Sequence, residues 1–449
     1  MGKKLSERVL KDWFARAHPR LGALLRNAGI VFGGNVLSSF VGLTYLAVLT
    51  RALSLEQFGL YSLYGALVAV VGRFTTFQTW QAQMHYAAHA KESENKPLIF
   101  NILFFGWLLD IVAGILGFGV AVLLASTLPQ VFGLPQGGVS EVAVAAFILI
   151  FNWMCSPTAF FRIYDRFFPQ ALYQNISNIL QLISVSILWA IGEDRLIVYL
   201  AVTSINNVFG QLWFFIYAVI EARKLGIVSI GFINYGLLKE SCPGVRRFVL
   251  ISNLDGIIRV LREVDIFIIN AFLDLQAVAL YKIVKTLNMA FGKLTGPFYQ
   301  SIYPELARLA VSGNVASMVK LMKQVSLTLG SITMVVWLGF VFVGPYLLSF
   351  AFGPEYSAAY AVAVWCMASM VVWGIAQPLS PVMMAIRKPG LSMIVHLATT
   401  IFYVITLVFF VSQLGLIGAG VALLLFYVIW STAMLAVAAK QLGRSFVGT

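Results

Sequence analysis

Twelve apolar stretches recur along the 449 residues, each near the ~20 residues that a helix needs to cross about 30 Å of hydrocarbon. They fall near 27–50, 58–82, 98–126, 141–161, 170–191, 196–220, 247–272, 278–303, 324–348, 358–385, 391–412 and 416–438. With 60% of residues hydrophobic, 11% charged and a mean hydropathy of +0.88, the chain is expected to be an all-α polytopic membrane protein. Pro297 in the eighth stretch and Pro378 in the tenth predict kinks.

The placement of cations orients these spans. Of 31 Lys and Arg, 23 lie in the N-terminal segment, in the loops after the even-numbered spans and in the C-terminal tail, whereas the opposite side has Arg51 and Arg195. The positive-inside rule then places both termini in the cytoplasm. The expected organisation is a cytoplasmic amphipathic segment (1–26), an N-lobe of six helices (27–222), a cytoplasmic linker (223–246), a C-lobe of six helices (247–439) and a cytoplasmic tail (440–449). Leu5, Val9, Trp13 and Ala17 give the first segment its apolar stripe, and no compact apolar core with a cleavage site marks a removable signal peptide. Cys155, Cys242 and Cys366 make no disulfide framework. The net charge of +13 reports topology, because the cations are dispersed over short loops; no nucleic-acid partner is expected.

Six cations remain inside the membrane, Arg73, Arg259, Arg262, Lys282, Lys285 and Lys293, with four acids, Asp110, Asp255, Glu263 and Asp265. At roughly 3 kcal/mol each, facing lipid would cost ten such groups on the order of 30 kcal/mol, so they must face protein or water. On the eighth span the three lysines share a face with Thr286 and Met289. On the seventh, Asp255, Arg259, Arg262, Glu263 and Asp265 form one charged stripe. Asp255 with Arg259 and Arg259 with Glu263 are i, i+4 pairs, and Arg262 with Asp265 is i, i+3, so a self-satisfied gating ladder stands beside direct anion contact. Arg73 and Lys293 have no acid at i±3 or i±4 and are the leading anion contacts; Lys282 has snorkelling as its alternative. Asp110 reads as a buried structural partner or an ion-coupling group.

A shift of 220 residues lays "LSLEQFGLYSL" (53–63) on "LDLQAVALYKI" (273–283) and "GRFT" (72–75) on "GKLT" (292–295), and sets Asn35 against Asp255. Duplication follows. Six helices per half return the chain to the same side, which gives two parallel-repeat six-helix lobes around a central cleft, with Arg73 and Lys293 as counterparts on its walls.

The opening "LLRNAGIVFGGNVLSSFVGLTYLAVLTRALSLEQFGLYSL", the twelve spans and the arginine before Phe58-Gly59-Leu60-Tyr61 resemble the multidrug/oligosaccharidyl-lipid/polysaccharide (MOP) superfamily, and within it the Wzx-type polysaccharide (O-antigen) translocases. Ser54 and Leu55 depart from the Gly and Pro common there. The resemblance implies a flippase of the bacterial inner membrane that moves undecaprenyl-diphosphate-linked oligosaccharide from the cytoplasmic to the periplasmic leaflet in lipopolysaccharide synthesis. It implies a cleft lined by spans 1, 2, 7 and 8, membrane lipid as a partner, and the polysaccharide polymerase and chain-length proteins as candidate partners. Cationic side chains would hold the diphosphate, and Asn35, Phe77, Gln78, Trp80, Gln81 and Gln83 are the candidate sugar contacts.

His85 and His89 are spaced i, i+4 without a third ligand, so no metal site is expected. No G-x-x-x-x-G-K-[ST] loop is present to drive transport by ATP. No nucleophile and base can be assembled, so a transporter is expected rather than an enzyme, without cofactor, its coupling ion H+ or Na+ left open. The alternatives are a MATE-like drug antiporter and a peptidoglycan lipid-precursor flippase.

Overall fold

The computed structural model describes residues 19–76, 79–166, 168–227, 236, 260 and 263–447. Every expected span except the seventh is occupied by one helix or by two in succession. The first is α1 (Pro19–Ala52), the second α2 (Leu55–Thr75) with α3 (Thr79–Glu92), the third α4 (Lys96–Thr127), and the fourth α5 (Val139–Ile150) with α6 (Cys155–Ile163). The fifth and sixth are α7 (Phe168–Ala190) and α8 (Leu196–Lys224). The seventh is described over its last part, α9 (Asp265–Phe272), and α10 (Leu275–Val311) and α11 (Val315–Phe352) follow. The tenth is α12 (Tyr360–Ala376) with α13 (Leu379–Ala385); α14 (Pro389–Leu414) and α15 (Leu416–Val447) complete the chain. Eight of these segments are long and apolar enough to cross a membrane, and no strand occurs among the described residues.

Local chemistry sets the helix starts and repeats across the lobes. Ser54 caps α2 in a capping box, its hydroxyl accepting from the Gln57 N–H at 3.2 Å while the Gln57 side chain accepts from the Ser54 N–H at 3.0 Å. Ser54 thus starts the helix without a Gly-Pro turn. Its counterpart at a shift of 220 residues, Asp274, caps α10 by accepting from the Ala277 N–H at 2.7 Å. The tenth span breaks at Gln377-Pro378, as its proline predicts, whereas α10 runs continuously through Pro297. The fourth span breaks as well. The short helices after the two breaks, α6 and α13, both carry Ser-Pro at their second and third positions (156–157 and 380–381), where proline has no intrahelical N–H bond to lose.

The two lobes share one core at the end of the bundle whose loops are poor in cations. That core joins Leu49, Phe58, Leu63 and Tyr199 to Ile269, Val278, Tyr356 and Leu407. At the cation-rich end each lobe has its own cores, one around Phe160 and Phe214, the others around Met383, Met434 and Leu306. The bundle is therefore closed at one end and parted at the other. Both cations of the closed end are engaged: Arg51 donates to the Phe350 carbonyl across the lobes, and Arg195 grips Glu193 at 2.7 and 2.8 Å, holding that carboxyl at about 2. The Asn270 side-chain amide adds a second cross-lobe bond by donating to the Gly133 carbonyl at 3.2 Å.

Gly59 is where α2 meets α10 most closely: a Cβ there would sit 2.1 Å from the Leu275 carbonyl oxygen. Gly59→Val should therefore destabilise the purified protein by about 1–3 kcal/mol in thermal unfolding. Gly65→Val, where a Cβ meets nothing within 4 Å, should change it by no more than about 0.5 kcal/mol.

Candidate functional site: an inter-lobe cavity

Just past the shared core, where the lobes begin to part, lies a cavity of about 460 Å³. One face of α10 supplies Tyr281, Lys285, Asn288, Met289 and Gly292, positions that recur every three or four residues. Glu263 and Asp265 enter from the turn that starts α9, and α12, α14 and α15 contribute Trp373, Tyr403 and Tyr427. The opposite lobe contributes Arg73, from the last turn of α2.

The charges on the two walls are arranged differently. Lys285 Nζ lies 2.7 Å from Asp265 Oδ1 and 2.9 Å from Glu263 Oε2, and the Tyr281 hydroxyl donates to Asp265 Oδ2 at 2.9 Å. Asp265 is 3% exposed, whereas the Glu263 side chain is 40% exposed. Asp265 is thus the buried anchor and Glu263 the partner that water reaches. Arg73 is exposed within the cavity and makes no hydrogen bond or ion pair to a described residue. The described lining balances two cations against two acids, so the guanidinium is its uncommitted charge.

The repeat extends to this polar cluster. At the same 220-residue shift Tyr45 falls on Asp265 and Tyr61 on Tyr281. In the N-lobe the two phenol hydroxyls lie 2.8 Å apart and the Tyr61 hydroxyl donates to Thr203 at 3.1 Å. The C-lobe keeps the inter-helix bond but replaces one phenol with a carboxylate, and Gly65, the counterpart of Lys285, leaves the N-lobe cluster neutral.

Among the other expected site residues, Lys282 is half-buried and does not line the cavity. Trp80 stacks under Arg162, whose guanidinium carbon is 4.5 Å from the ring centroid, and it borders the N-lobe's own core; Trp80 and the half-buried Gln81 stand apart from the cavity lining. Gln83 is buried inside the N-lobe and donates to Ser156 Oγ at 3.0 Å. Asp255, Arg259, Arg262, Phe77 and Gln78 lie outside the described residues, as do the side chains of Asn35 and Lys293. Trp373, Tyr403 and Tyr427 were not expected; they come from spans that carry no Asp, Glu, Lys or Arg.

The site is thus a charged cavity between two lobes of a multi-pass membrane protein. The fold is that of solved transporters. An inward-facing multidrug resistance MATE family transporter of the MOP superfamily superposes with a TM-score of 0.69, at 12% identity over 93% of this chain and 94% of the other. The lipid II flippase MurJ in an inward closed conformation gives 0.68, at 13% identity over 94% and 90%. A family model described as polysaccharide biosynthesis protein matches residues 24–310, and the chain belongs to that family. The inner membrane protein YghQ of Escherichia coli (strain K12) is 25% identical over 352 residues, 78% of this chain and 98% of the relative. The two solved structures are thus those of a transporter and a flippase, and the curated relative is an inner membrane protein.

Removing Lys285 would leave two carboxylates facing each other. Lys285→Met should therefore cost about 3–5 kcal/mol in thermal unfolding. Adding Asp265→Asn should restore much of that loss, and failure to do so would show that the amine holds the fold by some contact other than this pair.

Proposed function

We propose that the chain is a flippase that carries undecaprenyl-diphosphate-linked oligosaccharide units of a cell-surface polysaccharide from the cytoplasmic to the periplasmic leaflet of a bacterial inner membrane. Family membership and the likeness in fold to a lipid II flippase support a lipid-linked substrate. The observation that carries the reading is Arg73, a guanidinium in the inter-lobe cavity without a described partner. A diphosphate is a dense anion that loses its hydration on leaving the membrane surface, and a planar guanidinium replaces that hydration with two parallel donors.

The positive-inside rule places the cation-rich end, where the lobes part, in the cytoplasm. The cavity then receives the headgroup from the cytoplasmic side while the polyprenyl tail stays in lipid. Arg73 engages the diphosphate first. Lys285 joins by exchanging Glu263, its water-accessible carboxylate, for a phosphate oxygen, and Asp265 keeps the amine in place. Rocking of the lobes about their shared core would part the closed end and release the headgroup into the periplasm. Arg259, Arg262 and Lys293 are the further cations proposed to meet the diphosphate, with the sugars held by aromatic and amide side chains of the cleft.

In a strain lacking the chromosomal gene, lipid-linked oligosaccharide should accumulate in the inner leaflet, and the plasmid-borne protein should clear it. Arg73→Ala should lower transport at least about tenfold at unchanged protein level, the loss of one charge-assisted bond, and Arg73→Lys should keep part of it. Full transport by Arg73→Ala would remove the guanidinium from the mechanism.

A further inference from the structure

Asp110, on α4, is 1% exposed and has no cation within ion-pairing distance among the described residues. Its Oδ2 accepts the Cys155 N–H at 3.2 Å, and its buried Oδ1 has no hydrogen-bond partner among the described residues. Cys155 is the first residue of α6, after the break in the fourth span; Thr79, also beside the carboxyl, is the first residue of α3, after the break in the second. The two breaks are tied to each other by the Asn152 side-chain amide, which donates to Thr76 Oγ1 at 3.3 Å. Asp110 therefore sits at a polar layer between the core shared by the lobes and the separate core of the N-lobe's cation-rich half.

Breaking a span does not require this acid. In the C-lobe the residue at the 220-residue shift is Gly330, which packs on Ile375 beside the break in the tenth span. An ionised carboxylate with no counter-charge, whose near donors are the Cys155 N–H and thiol and the Thr79 hydroxyl and all crowd one side of it, is costly in such an interior, whereas the neutral acid needs far less.

We propose that Asp110 binds and releases a proton, and that this exchange sets the bend at the breaks of spans 2 and 4. With the layer closed, as here, the carboxyl carries the proton; when the proton leaves to water, the carboxylate demands further donors and the half-helices α3 and α6 draw away to admit them. Acid then favours the closed layer and alkali the opened one.

The groups on the elements packed against α4 do not compensate the charge. The Cys155 thiol beside the carboxyl supplies no positive charge. Glu56 and Arg73 of α2 are exposed, and Glu141 lies in the first turn of α5 at the closed end of the bundle. On α3, His85, His89, Lys91 and Glu92 are exposed, and Arg162 of α6 is engaged with Trp80.

The test uses the full chain in lipid nanodiscs, without substrate, so its outcome is independent of the flippase reading on which the coupling to transport rests. Infrared difference spectra between acid and alkaline pH should contain a protonated-carboxyl band that is absent in Asp110→Asn and displaced in Asp110→Glu. Hydrogen exchange of amides 150–158, corrected for its intrinsic pH dependence, should show protection falling at least about tenfold from acid to alkali in the parent. Asp110→Asn should hold the acid value throughout. If Asp110→Asn does not accumulate, the displaced band of Asp110→Glu decides alone. A carboxyl ionised at every pH, acting only as a cap on two helix starts, or an identical exchange profile in parent and variant, overturns the proposal.

Discussion

An ionisable side chain within hydrocarbon must find a counter-charge or water, and the Lys285 ammonium held by Asp265 and Glu263 is where this chain meets that constraint most directly. The three groups come from two elements joined by the turn at Leu273-Asp274, so the ion pairs fix the end of the seventh span against the eighth. The same pairs decide which face of α10 looks into the cavity. Once Lys285 is turned inward, Tyr281, Asn288 and Gly292 must follow on the helical period. Arg73 then faces a wall whose positive charge is already balanced, and it remains the accessible cation.

The duplicated architecture makes the asymmetry between the lobes informative. Both halves start their second helix with a side-chain cap, break their fourth span before a Ser-Pro pair, and tie the first span to the second by a hydrogen bond at the tyrosine of a shared Leu-Tyr. What differs is charge. The N-lobe version of the tyrosine cluster is neutral and stays buried within its lobe, whereas the C-lobe version carries an ion pair that opens on the cavity. Conversely the N-lobe holds the unpaired Asp110 at its own break, where the C-lobe has glycine. A common scaffold thus carries a cavity-facing ion-pair cluster in one lobe and a carboxyl without a described counter-charge in the other.

Much of this was legible in the sequence because it depends on local quantities. Hydropathy located the spans, and the match of "LSLEQFGLYSL" to "LDLQAVALYKI" exposed the repeat. The pairing of Lys285 was not legible. Within the seventh span the acids have arginines at i+4 and i−3, so a helix-by-helix account satisfies them locally, whereas Glu263 and Asp265 reach 20 and more residues along the chain to α10. The breaks in spans 2 and 4 escaped for a related reason: no proline or glycine lies between their half-helices, and only the comparison of Ser156-Pro157 with Ser380-Pro381 marks the second. Trp373, Tyr403 and Tyr427 reach the cavity through the crossing of helices whose order around the axis no local period encodes.

The balance of the described lining bears on how an anion is released as well as how it is held. A cavity of free cations would bind a diphosphate tightly in both conformations, and a ligand with equal affinity for two states shifts neither. Among the described residues Arg73 has no partner and Lys285 is shared with a carboxylate that water already reaches. In the proposed cycle Glu263 would retake Lys285 as the headgroup leaves, so that substrate and an internal acid would compete for one amine. Differential affinity between the states then needs only a change in the distance from Arg73 to Lys285, which rocking of the two lobes about their shared core would supply.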